Sequence, residues 1–194
     1  MVKITFFYDY ICPFSYIGSN RIQKLADDYG IYIDWKGYEI HPSYPTEGAR
    51  RKNTPRTLRA AQSLKSVMEE EDIKFKLPGF VTNSRYALMA GEYCKTKGKF
   101  IEFHNRCYDE YFMNRNNIGN REIVLKIAEA VGIDISQMEH QLATGEFNEI
   151  LNEYRYEAEQ IDVLGVPTVI INDFRVHGVQ SIDLYRSLLK KFSN

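Results

Sequence analysis

Apolar positions along the chain change their period several times, and each change marks an element. Residues 2–8, VKITFFY, are β-branched and aromatic and predict a buried strand. In CPFSYIGSNRIQKLADDYG the spacing of Ile17, Ile22 and Leu25 predicts a helix that stops at Gly30, a natural helix end. IYIDWKGYEI, 31–40, alternates Ile31, Ile33 and Trp35 with polar partners, which predicts a second strand with one buried face. After the breaker-rich HPSYPTEG the pattern turns helical. Thr54 and Pro55 read as the N-cap and first residue of a helix reaching about Glu71. KFKLPGFV interrupts, and NSRYALMAGEYCKTKGK and FIEFHNRCYDEYFMN resume the helical spacing. Asn120 caps and Gly132 ends a further helix, residues 136–163 hold one or two more, and Ser181 caps a closing helix, SIDLYRSLLKKF. Between them VIIND and FRVHG predict a hairpin around Asn172 and Asp173.

All the predicted strands lie at the two ends. A two-stranded piece is marginal by itself, so one sheet must draw on both termini. The expected architecture is an α/β fold: a discontinuous domain of residues 1–45 and 154–194, with 46–153 inserted as an all-helical subdomain.

Composition narrows the function classes. The formal charge is −1 over 194 residues, which offers no global field for nucleic acid or an anionic membrane. One basic cluster, ARRKNTPRTLR, is offset by EEED at 69–72 and reads as a solvated helix start rather than an anion site. The N-terminus lacks the pattern of a signal peptide, and no run approaches the roughly 18 apolar residues of a membrane span. The expectation is a cytoplasmic protein with neither nucleic acid nor membrane as partner. Cys12, Cys94 and Cys107 make an odd, widely spaced set, which argues against a disulfide framework. His104 and Cys107 could share a helix face, but no second pair has ligand spacing, so no metal site is expected. Cys94 and Cys107 lie among aromatics and read first as packing, with a cross-helix disulfide or a resolving role as the alternative.

Cys12 is different. It sits where the first strand ends and a helix begins, with Pro13 as first helical residue. Unpaired N–H groups and the helix dipole favour a thiolate there, so Cys12 is expected to be solvent-open and acidic for a thiol. Ser15, one turn on, can donate to the sulfur but cannot be oxidised. A mixed disulfide on Cys12 would then need an outside thiol to resolve it. GVPT, 165–168, opens the closing hairpin. A cis Val166–Pro167 bond would present the Val166 backbone to an extended substrate as an added strand, beside Cys12. Against this stands the plain reading, a buried cysteine and a trans strand-start proline.

The C-P-x-[CS] junction, the GVPT turn and the helical insertion, with NSRYAL at 83–88, NIGNREIVLKIAEAVGID and VHGVQS at 176–181, resemble the DsbA family of thioredoxin-fold proteins, in its FrnE-like cytoplasmic branch. The resemblance implies a thiol–disulfide oxidoreductase or disulfide isomerase with Cys12 as nucleophile and Pro167 as the cis-proline. It departs at the resolving cysteine, where Ser15 stands. The same branch includes kappa-class glutathione transferases and 2-hydroxychromene-2-carboxylate isomerases, similar at S-P-[FY]-S; those carry an Asp-Arg pair near the closing loop, where Gln180 and Ser181 stand here. Two enzyme readings therefore stay open, a monothiol oxidoreductase and a glutathione-dependent transferase or isomerase. A non-catalytic binding module is the third.

Catalysis is expected from Cys12 and Ser15, and substrate contact from Val166, Pro167, Pro13, Phe14, Asn83 and Gln180. Tyr16 reads as cleft wall, His41 and His177 as loop histidines, and Asn83 equally as a helix cap. No tightly bound cofactor is expected; glutathione or another low-molecular-weight thiol is the expected co-substrate. The partner is a protein or small-molecule disulfide or thiol, and the oligomeric state stays open, a homodimer among the alternatives.

Overall fold

The structure is a computed structural model that describes residues 2–70 and 74–193. The chain divides into two units: residues 1–40 with 150–194, and residues 41–149. The boundaries predicted from sequence, 45/46 and 153/154, fall a few residues further on. The second division lies inside a helix, where polar and apolar positions alternate without a break for sequence reasoning to find.

The first unit is built on a four-stranded sheet, β1 (Ile4–Tyr8), β2 (Ile33–Gly37), β5 (Thr168–Ile171) and β6 (Phe174–His177), in the order β2-β1-β5-β6. β1 is buried at all five residues, as expected of a central strand covered on both faces. Withdrawing a side chain such as Phe6 or Phe7 from water contributes roughly 1.5–3 kcal/mol. It pairs in parallel with β2, through Ile4–Ile33 to Tyr8–Gly37, and antiparallel with β5, through Ile4–Ile171 to Phe7–Thr168. The second register decides the site, because it brings the exit of β1 beside the entry of β5. The β5–β6 turn has Asn172 at φ 53, a left-handed position that asparagine tolerates better than most residues. Helix α1 (Pro13–Tyr29) ends at Gly30 with φ 62, and α8 (Ile182–Ser193) packs against it. Phe7, Ala158 and Val163 form a buried cluster with Val166 and Ile170 against it.

The second unit is mostly helical. Helices α3 (Arg85–Thr96), α4 (Phe100–Phe112), α5 (Arg121–Ala130) and α6 (Ile135–Leu142) pack on one another, and α7 (Glu146–Gln160) starts here and continues past residue 149. The predicted caps hold: Asn120 accepts from the Glu122 N–H at 2.8 Å, and Thr54 from the Thr57 N–H at 3.2 Å at the start of α2 (Pro55–Glu70). Glu71, the predicted helix end, lies outside the described residues. One expectation fails. The strands are not confined to the chain ends, because β3 (Ala49–Arg50) and β4 (Phe80–Val81) form a short antiparallel ribbon. Two-residue strands carry too little alternation to show in sequence. Arg51 reinforces the ribbon by donating to the Pro78 carbonyl at 3.1 Å, so this member of the basic cluster has a structural task.

Candidate active site

Cys12 is the N-cap of α1, in extended conformation (φ −91, ψ 113), and Pro13 follows at the first helical position. A proline there costs no hydrogen bond, since that N–H has no helical partner. The Cys12 N–H donates to the Asp9 carbonyl at 3.1 Å and its own carbonyl accepts from Tyr16 at 3.2 Å, which fixes the turn between strand and helix. Across from it the Val166–Pro167 peptide is cis, and Cys12 Sγ donates to the Val166 carbonyl at 3.4 Å. Cys12, Pro13, Val166 and Pro167 are thus brought to one place, as expected.

The state of the sulfur is not as expected. Cys12 is only 5% exposed, and its pKa is pushed up to about 11 rather than down. Burial is the chief cause, and the negative charge of Asp9 adds to it. The Ser15 side chain and the backbone N–H groups of Ser15 and Phe14 pull the other way, as a helix N-terminus should, but they lose to desolvation. The helix dipole favours the anion, but the depth at which the sulfur sits outweighs it. Ser15 itself is fully buried, and its Oγ meets no partner with full hydrogen-bond geometry. It stands ready to donate to a thiolate or a bound sulfur. Phe14 is half-buried beside it in sequence.

Several further residues shape this turn. Asp9, wholly buried, accepts from the Ile40 N–H at 2.8 Å and the Ile11 N–H at 3.3 Å. Its signal was an acidic residue inside an otherwise apolar run, FFYDYI. Arg21, 5% exposed, donates to the Gln180 carbonyl at 2.5 Å and ties α1 to the loop before α8. It lies one turn from Ile17 on the buried face, a departure from pattern that could have been read. Gly18 lets Pro167 approach α1: a Cβ there would meet the Phe6 ring at 3.3 Å and the Pro167 ring at 3.5 Å.

The remaining predicted residues serve local structure. Gln180 donates through its side chain to the His177 carbonyl at 3.0 Å. The Thr168 hydroxyl donates to the Gly165 carbonyl at 2.7 Å and lies 3.3 Å from His177 Nδ1. Asn83 belongs to the helical unit; it donates to the Pro42 carbonyl and accepts from the Arg85 N–H, each at 2.9 Å. It stands one residue before Ser84, the N-cap of α3, so its side chain braces the helix start without being its cap. His41, in the same unit, has its pKa lowered by burial and by Arg51 and Arg56. No group of three metal-ligating side chains exists among the described residues. No helix among them is long and apolar enough to cross a membrane.

The model of the DSBA-like thioredoxin domain matches residues 3–190. The chain belongs to this family. Among curated relatives, YwbO of Bacillus subtilis (strain 168) is 26% identical over 193 residues, covering 97% of this chain and 96% of its own. A 2-hydroxychromene-2-carboxylate isomerase of Pseudomonas putida is 22% identical over 173 residues, 88% of this chain and 85% of its own. Among solved structures, a probable DsbA oxidoreductase of Streptomyces coelicolor, SCO1869, superposes with a TM-score of 0.86 at 15% identity, covering all of this chain and 91% of its own. The family and the thioredoxin-like fold agree with what the sequence resembled.

Proposed function

We propose that the protein is a monothiol thiol–disulfide oxidoreductase or disulfide isomerase, with Cys12 as nucleophile and a low-molecular-weight thiol such as glutathione as resolving partner. The observation that carries this reading is Cys12 at the N-terminus of α1 with its sulfur 3.4 Å from the Val166 carbonyl. A substrate backbone N–H that pairs with this carbonyl would take over the acceptor the thiol now uses, and would lay the substrate's sulfur alongside Cys12.

In the first step Cys12 gives its proton to water and the thiolate so formed attacks one sulfur of a disulfide. The new S–S bond forms as the old one breaks, and the departing sulfur leaves as a thiolate that takes a proton from water. In the second step the thiolate of the small thiol attacks the mixed disulfide and Cys12 leaves. The disulfide so formed balances the one consumed. Ser15 donates to the Cys12 sulfur whenever it is anionic. Phe14 and Pro13 flank the nucleophile, Val166 and Pro167 align the substrate, and Gln180 enters as a substrate contact on the strength of the family resemblance.

A second reading has its own support. Cys12 is buried and protonated at rest, and a relative of similar length is an isomerase. In that reading the Cys12 and Ser15 hydrogens both donate to the sulfur of a bound thiol, with no disulfide made or broken.

Incubation with oxidised glutathione followed by mass spectrometry separates the two. The oxidoreductase reading expects a mixed disulfide at Cys12 and not at Cys94 or Cys107, and turnover of a small disulfide that Cys12→Ser abolishes. Saturable binding of reduced glutathione without any adduct or turnover would replace it with the second.

A further inference from the structure

The basic stretch ARRKNTPRTLR, residues 49–59, belongs to the helical unit. Arg50 stands on β3, Lys52 follows it, and Arg56 and Arg59 lie in the first turns of α2, all four exposed. None of the four makes an ion pair among the described residues. Arg51 between them is braced by uncharged acceptors, the Pro78 carbonyl at 3.1 Å and the Phe80 carbonyl at 3.5 Å, so its position is fixed while its charge is not cancelled. Together with Asn53, the cations at 50–52 line a notch of about 380 Å³. Burial first, and then Arg51 and Arg56, lower the pKa of His41, which brings both guanidinium groups near one imidazole. Glu47 is the one carboxylate of residues 41–68. Glu69 and Glu70, expected from sequence to offset the cluster, end α2 instead, about 20 Å along its axis from Arg56, or two Debye lengths at physiological salt. Glu69 is already paired with Lys65 at 3.7 Å. Glu71 and Asp72 lie outside the described residues; they follow Glu70 directly, and two residues of chain span at most about 7 Å. Leu58, 58% exposed, stands in the same helix start between Arg56 and Arg59.

We propose that this surface docks an acidic segment of a partner protein, a run of carboxylates with an apolar residue among them. The carboxylates would meet exposed cations that have no partner to give up. The apolar side chain would cover Leu58. A single-stranded nucleic acid would need aromatic faces on which its bases stack, and residues 49–59 contain no aromatic residue. An anionic membrane would need a broad apolar face beside the cations, and Leu58 is the one large apolar side chain in that stretch. The proposal is independent of the Cys12 chemistry.

The probe is a short peptide of glutamates around one leucine, added to the isotope-labelled full chain. The amide signals of Arg50, Lys52, Arg56 and Leu58 should shift saturably while those of α6 stay in place. The peptide should bind at least about tenfold more tightly than its glutamine counterpart, a difference of about 1.4 kcal/mol. The triple variant Arg50→Glu, Lys52→Glu, Arg56→Glu should lose that advantage, and Leu58→Ala should weaken binding by at least about threefold. Should the triple variant fail to fold, the wild-type affinity for the glutamate peptide must still fall with added salt. Equal binding of the glutamine peptide, shifts confined to other residues, or no saturation would each overturn the proposal. Tighter binding of oligothymidylate, or of phosphatidylserine vesicles, would replace the acidic segment with a nucleic acid or a membrane. Signals at 50–58 that move with protein concentration alone would replace it with a second copy of the chain.

Discussion

Cysteine is buried in both units, yet the two regions surround it differently. In the helical unit Cys94 and Cys107 are fully buried, and the Cys94 thiol is pushed up to about 12 by burial and then by Glu102. In the sheet unit Cys12 is nearly as buried and pushed up to about 11, so neither depth nor acidity sets it apart. Its neighbours do. At Cys12 the Ser15 side chain and two backbone N–H groups act against desolvation, whereas at Cys94 burial and a carboxylate both oppose ionisation. Under the proposed function, the nucleophilic sulfur would be marked by polar groups that favour its anion rather than by a low resting pKa.

The sharpest way to break this comparison is substitution. Cys12→Ser should lower disulfide turnover with a small thiol by on the order of 10³-fold or more, while Cys94→Ala and Cys107→Ala stay within about threefold; removing a nucleophile has losses of this scale. A residual rate near wild type in Cys12→Ser would put the function elsewhere. Next comes pH. A thiol raised to about 11 is almost wholly protonated at neutrality, and its thiolate fraction grows with every step upward. The alkylation rate at Cys12 should therefore climb about tenfold per pH unit, some hundredfold from pH 7 to 9, with no plateau below 9. A plateau near neutrality would show an acidic thiol and restore the expectation that burial overturned. The same raised pKa favours the protonated folded state, so stability should be intact below the ordinary thiol value of 9.0 and fall as pH rises toward about 11.

Two smaller effects sharpen the contrast between the units. In the helical unit a Cβ at Gly119 would lie 2.1 Å from Thr82 Oγ1 and 2.5 Å from the Thr46 carbonyl. Gly119→Ala should destabilise by about 1–3 kcal/mol in a denaturant titration, the cost of overpacking. At the site, Asp9→Asn removes a charge that opposes the Cys12 thiolate. Alkylation at fixed pH should quicken by roughly two- to tenfold, since one pKa unit is tenfold in thiolate where the thiol is mostly protonated. An unchanged rate would assign the raised pKa to burial alone.

Much of the fold was legible from local pattern. VKITFFY is apolar on both faces and became the central strand, and Gly30, Asn120, Thr54 and Ser181 ended or opened helices where their chemistry indicated. The ribbon of Ala49–Arg50 with Phe80–Val81 was not legible, because two residues have no period and their pairing spans a whole helix. At the site Cys12, Ser15 and the 165–168 turn stood out as motifs. Asp9 and Arg21 did not, although each is a charged residue on an apolar face.

The sequence by itself determined which sulfur is the candidate: a cysteine before a proline, between a buried strand and a helix, with a serine one turn on. Those are local facts, written within a few residues. Only the tertiary structure decided the state of that sulfur. Desolvation depends on every atom packed around the thiol, including a carbonyl more than 150 residues away, and no short stretch of chain carries that information.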